Sequence, residues 1–107
     1  MVGGGDVVQE LVADFVSKYK LQTDRETRYI DLASEVGELG KELIKGTNYG
    51  KTAFMQSAQI EDEIGDCLFS LVALCCEMNI EAREALEKAL MKYDMRFIRK
   101  GDIGSEV

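Results

Sequence analysis

The stretch Glu61-Asp62-Glu63-Ile64-Gly65-Asp66-Cys67-Leu68-Phe69-Ser70-Leu71-Val72-Ala73-Leu74-Cys75-Cys76 decides how this chain is read. From Cys67 to Cys76 it carries one polar side chain in ten, Ser70. A helix that is apolar all round is buried on most sides, so this segment is expected at the centre of the fold. At its head stand Glu63 and Asp66, three residues apart and therefore on one helix face. Gln56, Gln59 and Ser70 share their strip. Unpaired carboxylates beside a buried helix are costly, and something must offset that cost.

A second acidic pair, Glu35 and Glu38, lies upstream. At about 100° per residue, Asp31, Glu35, Glu38 and Glu42 fall within a strip about 60° wide. Leu32, Val36, Leu39 and Leu43 form an apolar strip beside it, and Ala33, Gly37, Gly40 and Ile44 a small-residue face. Thr27, Ser34, Lys41 and Lys45 read as the outermost face. A lone pair of glutamates at this spacing is ordinarily a solvated surface. Here both pairs border apolar surface. Gathered together, four carboxylates repel one another and raise their own pKa values. A hard divalent cation such as Mg²⁺, which takes oxygen ligands, removes both problems. Gly37 and Gly65 sit inside the two motifs. Glycine within a helix costs about 1 kcal/mol against alanine, so these two are expected to mark close helix approach.

The rest of the chain reads as helical. Its 107 residues suit one domain with a modest core, and it has no proline. Asp6 is expected to cap a first helix over about residues 7 to 20, with Val8, Leu11, Val12, Phe15 and Tyr19 on one side. Thr23 or Asp24 caps a second, which runs to about Lys45 and stops at Gly46. Gly46-Thr47-Asn48-Tyr49-Gly50-Lys51 is the clearest loop. A third helix is expected over about 53 to 78, and a fourth from after Asn79 to about Arg99. Residues 1–107 thus form one helical domain, with 1–5 as a flexible start and 101–107 as a frayed tail. Four helices with short links predict an all-α, antiparallel four-helix bundle. The apolar third helix calls for completion by oligomerisation.

Charge and cysteines narrow the function classes. The net charge of −7 disfavours a nucleic-acid partner, whose phosphates need a basic face. Small phosphorylated ligands remain open if a metal supplies positive charge. No apolar run reaches the roughly 20 residues of a membrane span, and Met1 to Gly5 lacks the regions of a signal peptide. Cys67, Cys75 and Cys76 read as buried free thiols, which implies a cytoplasmic location. Lys88, Lys92 and Arg96 follow one another at four-residue spacing in the fourth helix. Alone they would complement the helix macrodipole. Beside a carboxylate–metal site, Lys92 and Arg96 are candidates to hold phosphate oxygens.

Ser34-Glu35-Val36-Gly37-Glu38-Leu39, Glu61 to Phe69, Asn79-Ile80-Glu81 and Lys92-Tyr93-Asp94-Met95-Arg96-Phe97 together resemble the MazG-type nucleoside triphosphate pyrophosphohydrolases of the all-α NTP pyrophosphatase superfamily. The resemblance covers about residues 28 to 98, and the ordered set is more specific than either acidic pair. It implies that Glu35, Glu38, Glu63 and Asp66 bind Mg²⁺, with Mn²⁺ as a substitute, and carry the catalysis. It implies that Lys92 and Arg96 bind substrate. The implied reaction hydrolyses an NTP or dNTP at the α–β phosphoanhydride bond, giving the monophosphate and pyrophosphate, in nucleotide-pool housecleaning. The implied assembly is a homodimer or homotetramer with its site at an interface. Ser34, Gln59 and Leu90 depart from residues common in the family. Sibling activities on deoxyuridine or deoxycytidine nucleotides, or on phosphoribosyl-ATP, are the neighbouring readings. A non-catalytic helical interaction module is the reading from another class. A ferritin-like di-iron site needs Glu-x-x-His, and the chain has no histidine.

Overall fold

Asp24 sets the start of the longest helix. The computed structural model describes residues 7–100. Asp24 is in extended backbone, and its Oδ1 accepts the Thr27 N–H at 2.7 Å. This satisfies one donor that the helix itself leaves open. Four helices follow in order: α1 Val7–Lys18, α2 Arg25–Gly46, α3 Ala58–Glu77 and α4 Ala82–Lys100. There is no strand among the described residues, and the chain is all-α. The expected Asp6 cap, the 1–5 start and the 101–107 tail lie outside the described residues.

Two boundaries differ from expectation, each for a local reason. α1 ends at Lys18, because Lys20 takes a left-handed conformation (φ 55°) and Leu21 N–H bonds back to the Val16 carbonyl. α3 begins at Ala58, five residues late. Residues 53–57 instead fold back along the end of α2. Met55 N–H donates to the Gly46 carbonyl at 2.8 Å, and the Phe54 ring lies against Gly46. A Cβ on Gly46 would stand 2.6 Å from Phe54 Cε1. This is where a glycine is required by close approach. Gly37 and Gly65 have nothing within 4 Å of such a Cβ, so the expectation that they mark helix contact fails within the chain. The approach falls one helix end away, at Gly46.

α2 and α3 form the main packed pair and run antiparallel. Arg28 near the start of α2 meets Glu77 at the end of α3, and Gly46 meets Phe54 and Met55 at the other end. The inward face of α2 is Arg28, Leu32, Glu35, Leu39 and Glu42, at alternating four- and three-residue spacing. The facing side of α3 is Ile60, Glu63, Cys67, Ser70, Leu74 and Glu77. α1 lies against α3, also antiparallel, with Phe15 edge-on to Phe69 at 5.9 Å. Its contact side is Gln9, Val12 and Val16, of which Val16 is buried. Val8, Leu11, Phe15 and Tyr19, on the apolar side of α1, stay largely exposed even though the Phe15 ring meets Phe69 and Tyr19.

The bundle is not closed within one chain. Val16, Ile60, Val72 and Ala73 are the buried apolar side chains among the described residues. α3 is covered on most sides, as its apolar sequence requires, but Ile64, Leu68 and Leu71 form one open apolar strip. α4 packs on none of the other helices more than marginally. It exposes Leu86, Leu90, Met91, Met95, Phe97 and Ile98. The radius of gyration is 16.9 Å, against about 13 Å for a compact domain of this length.

Candidate metal centre

The antiparallel register of α2 and α3 brings the two acidic motifs together. It is held at two ends, by Arg28 and Glu77 beyond one side and by the Gly46–Phe54 contact beyond the other. Between these anchors, Glu35, Glu63 and Asp66 each place a carboxylate oxygen within 4.8 Å of the others. Glu35 and Glu63 are half-buried and Asp66 is exposed. Ile60, buried one turn before Glu63, fixes the face on which Glu63 and Cys67 point inward.

The electrostatics of the trio are those of uncompensated like charge. Partial desolvation raises the Glu35 pKa above its ordinary 4.5, and Asp66, Glu63, Glu38 and Asp31 raise it further. Desolvation likewise raises the Cys67 thiol, with Glu35, Glu63 and Asp66 adding to it. That thiol is held in its protonated, unreactive form. All three cysteines are free and half-buried. The donor set fits a hard cation: several carboxylate oxygens from two rigid helices, open to solvent on the Asp66 side, as divalent ions that retain waters require.

The other expected site residues are not part of this trio. Glu38 is exposed and stands outside it, one turn along α2, near enough for its charge to act on Glu35. Glu42 is turned to Lys45, whose Nζ donates to its Oε2 at 3.1 Å. Lys92 and Arg96 lie on α4, which meets α2 and α3 no more than marginally in the single chain. Their charged ends sit 5.9 Å and 6.0 Å from the Tyr93 ring, a distance at which cation–π attraction operates.

Sequence reasoning missed Arg28 and Gln9. Arg28 is buried, and it continues the Leu32–Glu35–Leu39 spacing backwards by one turn. That register was the available signal. Gln9 shares a face with Val12 and Val16, but no sequence pattern announces its hydrogen bonds to the α3–α4 link.

Two antiparallel helices that gather carboxylates from an ExxE and an ExxD motif, in an all-α chain, define a helical protein with an acidic candidate cation site. Residues 23–97 match the MazG nucleotide pyrophosphohydrolase domain, and the chain belongs to that family. It is also 37% identical over 68 residues to the uncharacterized protein YpjD of Bacillus subtilis (strain 168). That match covers 61% of this chain and 60% of the relative's length. No solved structure matches significantly.

Proposed function

We propose that this protein is a Mg²⁺-dependent nucleoside triphosphate pyrophosphohydrolase, cleaving an NTP or dNTP to the monophosphate and pyrophosphate. The observation that carries the reading is the convergence of Glu35, Glu63 and Asp66 within 4.8 Å, inside the segment that matches the family. Glu35, Glu63 and Asp66 are the residues that would hold the cation directly, with Glu38 beside them on α2; Mn²⁺ could replace Mg²⁺. When bound, the cation supplies charge neutralisation at phosphate oxygens and acidifies water.

The chain's own residues then have separate tasks. Water oxygen forms a bond to the α-phosphorus, the α–β bridging bond breaks, and the leaving group is pyrophosphate. Glu38 takes the proton of the attacking water as general base. Glu42 and Asp62 are the alternatives; Glu42 is less suited, because its carboxylate is occupied by Lys45. Lys92 and Arg96 bind the substrate phosphates and offset charge developing on the leaving pyrophosphate. In one chain α4 meets α2 and α3 no more than marginally, which supports a site completed in a homodimer or homotetramer. The exposed apolar strips of α3 and α4 support the same assembly. The free thiols support a reducing, cytoplasmic location.

The test is incubation with a panel of NTPs and dNTPs, with and without Mg²⁺, followed by product identification. Monophosphate plus pyrophosphate is expected, lost in Glu38→Ala and Asp66→Asn. Inorganic phosphate plus a diphosphate would mean that a different bond is cut. No turnover of any nucleotide by the folded protein would leave a non-catalytic helical interaction module.

A further inference from the structure

α1 precedes the residues that match the family, yet one of its side chains grips the link between α3 and α4. Gln9 Nε2 donates to the Ile80 carbonyl at 2.9 Å, and Gln9 Oε1 accepts the Ala82 N–H at 2.8 Å. The same Nε2 stands 3.9 Å from Cys76 Sγ. The link itself is tight. Asn79 is left-handed (φ 55°), and Ile80 N–H bonds back to the Cys75 carbonyl at 2.9 Å. Ala82 is the first residue of α4, and its N–H is one that a helix cannot satisfy internally. A primary amide can donate and accept at once. It therefore pairs with a carbonyl and an N–H two residues apart, one in the link just after Asn79 and one at the first residue of α4.

Packing does little to hold the direction of α4, which meets the other helices no more than marginally among the described residues. Arg96 lies about 21 Å along α4 from Ala82, so a 10° change at the bend moves it by about 4 Å. We propose that Gln9 is a positioning residue: it fixes the angle at which α4 leaves α3, and so the placement of Lys92 and Arg96. The inference rests on the pyrophosphohydrolase reading for its effect on turnover, and on the geometry alone for its effect on the bend.

The experiment compares wild type, Gln9→Leu, Lys92→Ala and the double variant, with Val12→Ala as a half-buried α1 control. Amide hydrogen exchange at Ala82 and steady-state kinetics are both measured. In Gln9→Leu, exchange at Ala82 is expected to rise about tenfold or more, since its half-buried hydrogen bond is lost. The kcat/KM for the best nucleotide is expected to fall about tenfold, as misplacement of a few ångströms does to positioned groups. Because both residues would act through the same contact, the losses in Gln9→Leu and Lys92→Ala should combine to less than their product. Unchanged exchange at Ala82 overturns the clamp. Multiplicative losses, or an equal loss in Val12→Ala at matched stability, overturn the positioning role. Absence of nucleotide turnover in wild type is a separate result: it sinks the pyrophosphohydrolase reading and the positioning role with it, while the exchange measurement still decides the clamp.

Discussion

Arg28 on α2 and Glu77 on α3 form an ion pair at 3.6 Å, with both side chains largely withdrawn from solvent. Arg28 Nη2 also donates to the Leu21 carbonyl at 2.6 Å, and Glu77 Oε2 accepts the Thr23 N–H at 3.2 Å. The pair therefore ties the α1–α2 link to the end of α3 as well as joining the two long helices. Removing one partner leaves the other charge buried and uncompensated. Glu77→Ala is expected to cost about 3 kcal/mol, read as a lower urea midpoint with an unchanged slope at fixed protein concentration. A loss below about 0.5 kcal/mol would mean that the pair behaves as an exposed one.

This pair also marks where the sequence stops being legible. Helix count and the Asp24 cap follow from local spacing and capping chemistry, whereas of the four acids in the two motifs only Glu35, Glu63 and Asp66 come together, and Glu38 stands outside. Arg28 looks like a surface residue, because charge at a helix start is ordinarily solvated. The inward register of Leu32, Glu35 and Leu39 points to it, but the partner that lets a charge sit there is forty-nine positions away. Gln9 is illegible for the same reason: its partners are backbone groups seventy or more positions along the chain. The late start of α3 was hidden too. Residues 53–57 are reasonable helix formers, and the contact of Phe54 with Gly46 overrides that preference.

Glu35 links pH to metal response. Its pKa is raised above 4.5 by desolvation first, then by Asp66, Glu63, Glu38 and Asp31. Between 4.5 and that raised value the folded protein holds a proton that the unfolded chain releases. By linkage, this group makes metal-free protein more stable as pH falls through the raised value towards 4.5, and less stable as pH rises. A divalent cation competes with the proton, so its stabilising effect should be largest above that window and fade within it. At about 100 times its dissociation constant, Mg²⁺ should contribute about 2.7 kcal/mol. That is about 10 °C or more in Tm for a domain of this size. Glu35→Gln should raise the metal-free Tm and abolish most of the Mg²⁺ shift. An undiminished shift in that variant would place the cation elsewhere.

Lys92 and Arg96 should matter for turnover and little for stability. Lys92 is exposed, and the Arg96 guanidinium lies 6.0 Å from the Tyr93 ring. Arg96→Ala and Lys92→Ala are each expected to lower kcat/KM by about 100-fold, the scale of losing one preorganised electrostatic donor. Thermal unfolding should shift by no more than a degree or two. Lys92→Arg should retain part of the activity, since the charge is kept but its shape differs. Full activity in Arg96→Ala would remove α4 from the reaction.

Leu90 tests whether the site needs a second copy. Leu86, Leu90, Tyr93 and Phe97 recur at four- and three-residue spacing on α4 and are all exposed, as are Ile64, Leu68 and Leu71 on α3. A stable association needs about 800 Å² buried on each partner, and two such helical strips can supply it. Sedimentation of wild type at about 10 µM should therefore show a dimer or tetramer, with a dissociation constant below about 1 µM. Leu90→Glu places a charge in that contact and should give monomer. If α4 reaches the carboxylates only in the assembly, the same variant should lose turnover even though no acidic or basic site residue has changed. A monomeric Leu90→Glu protein with full activity would show that one chain holds a complete site, and that α4 closes onto its own α2 and α3.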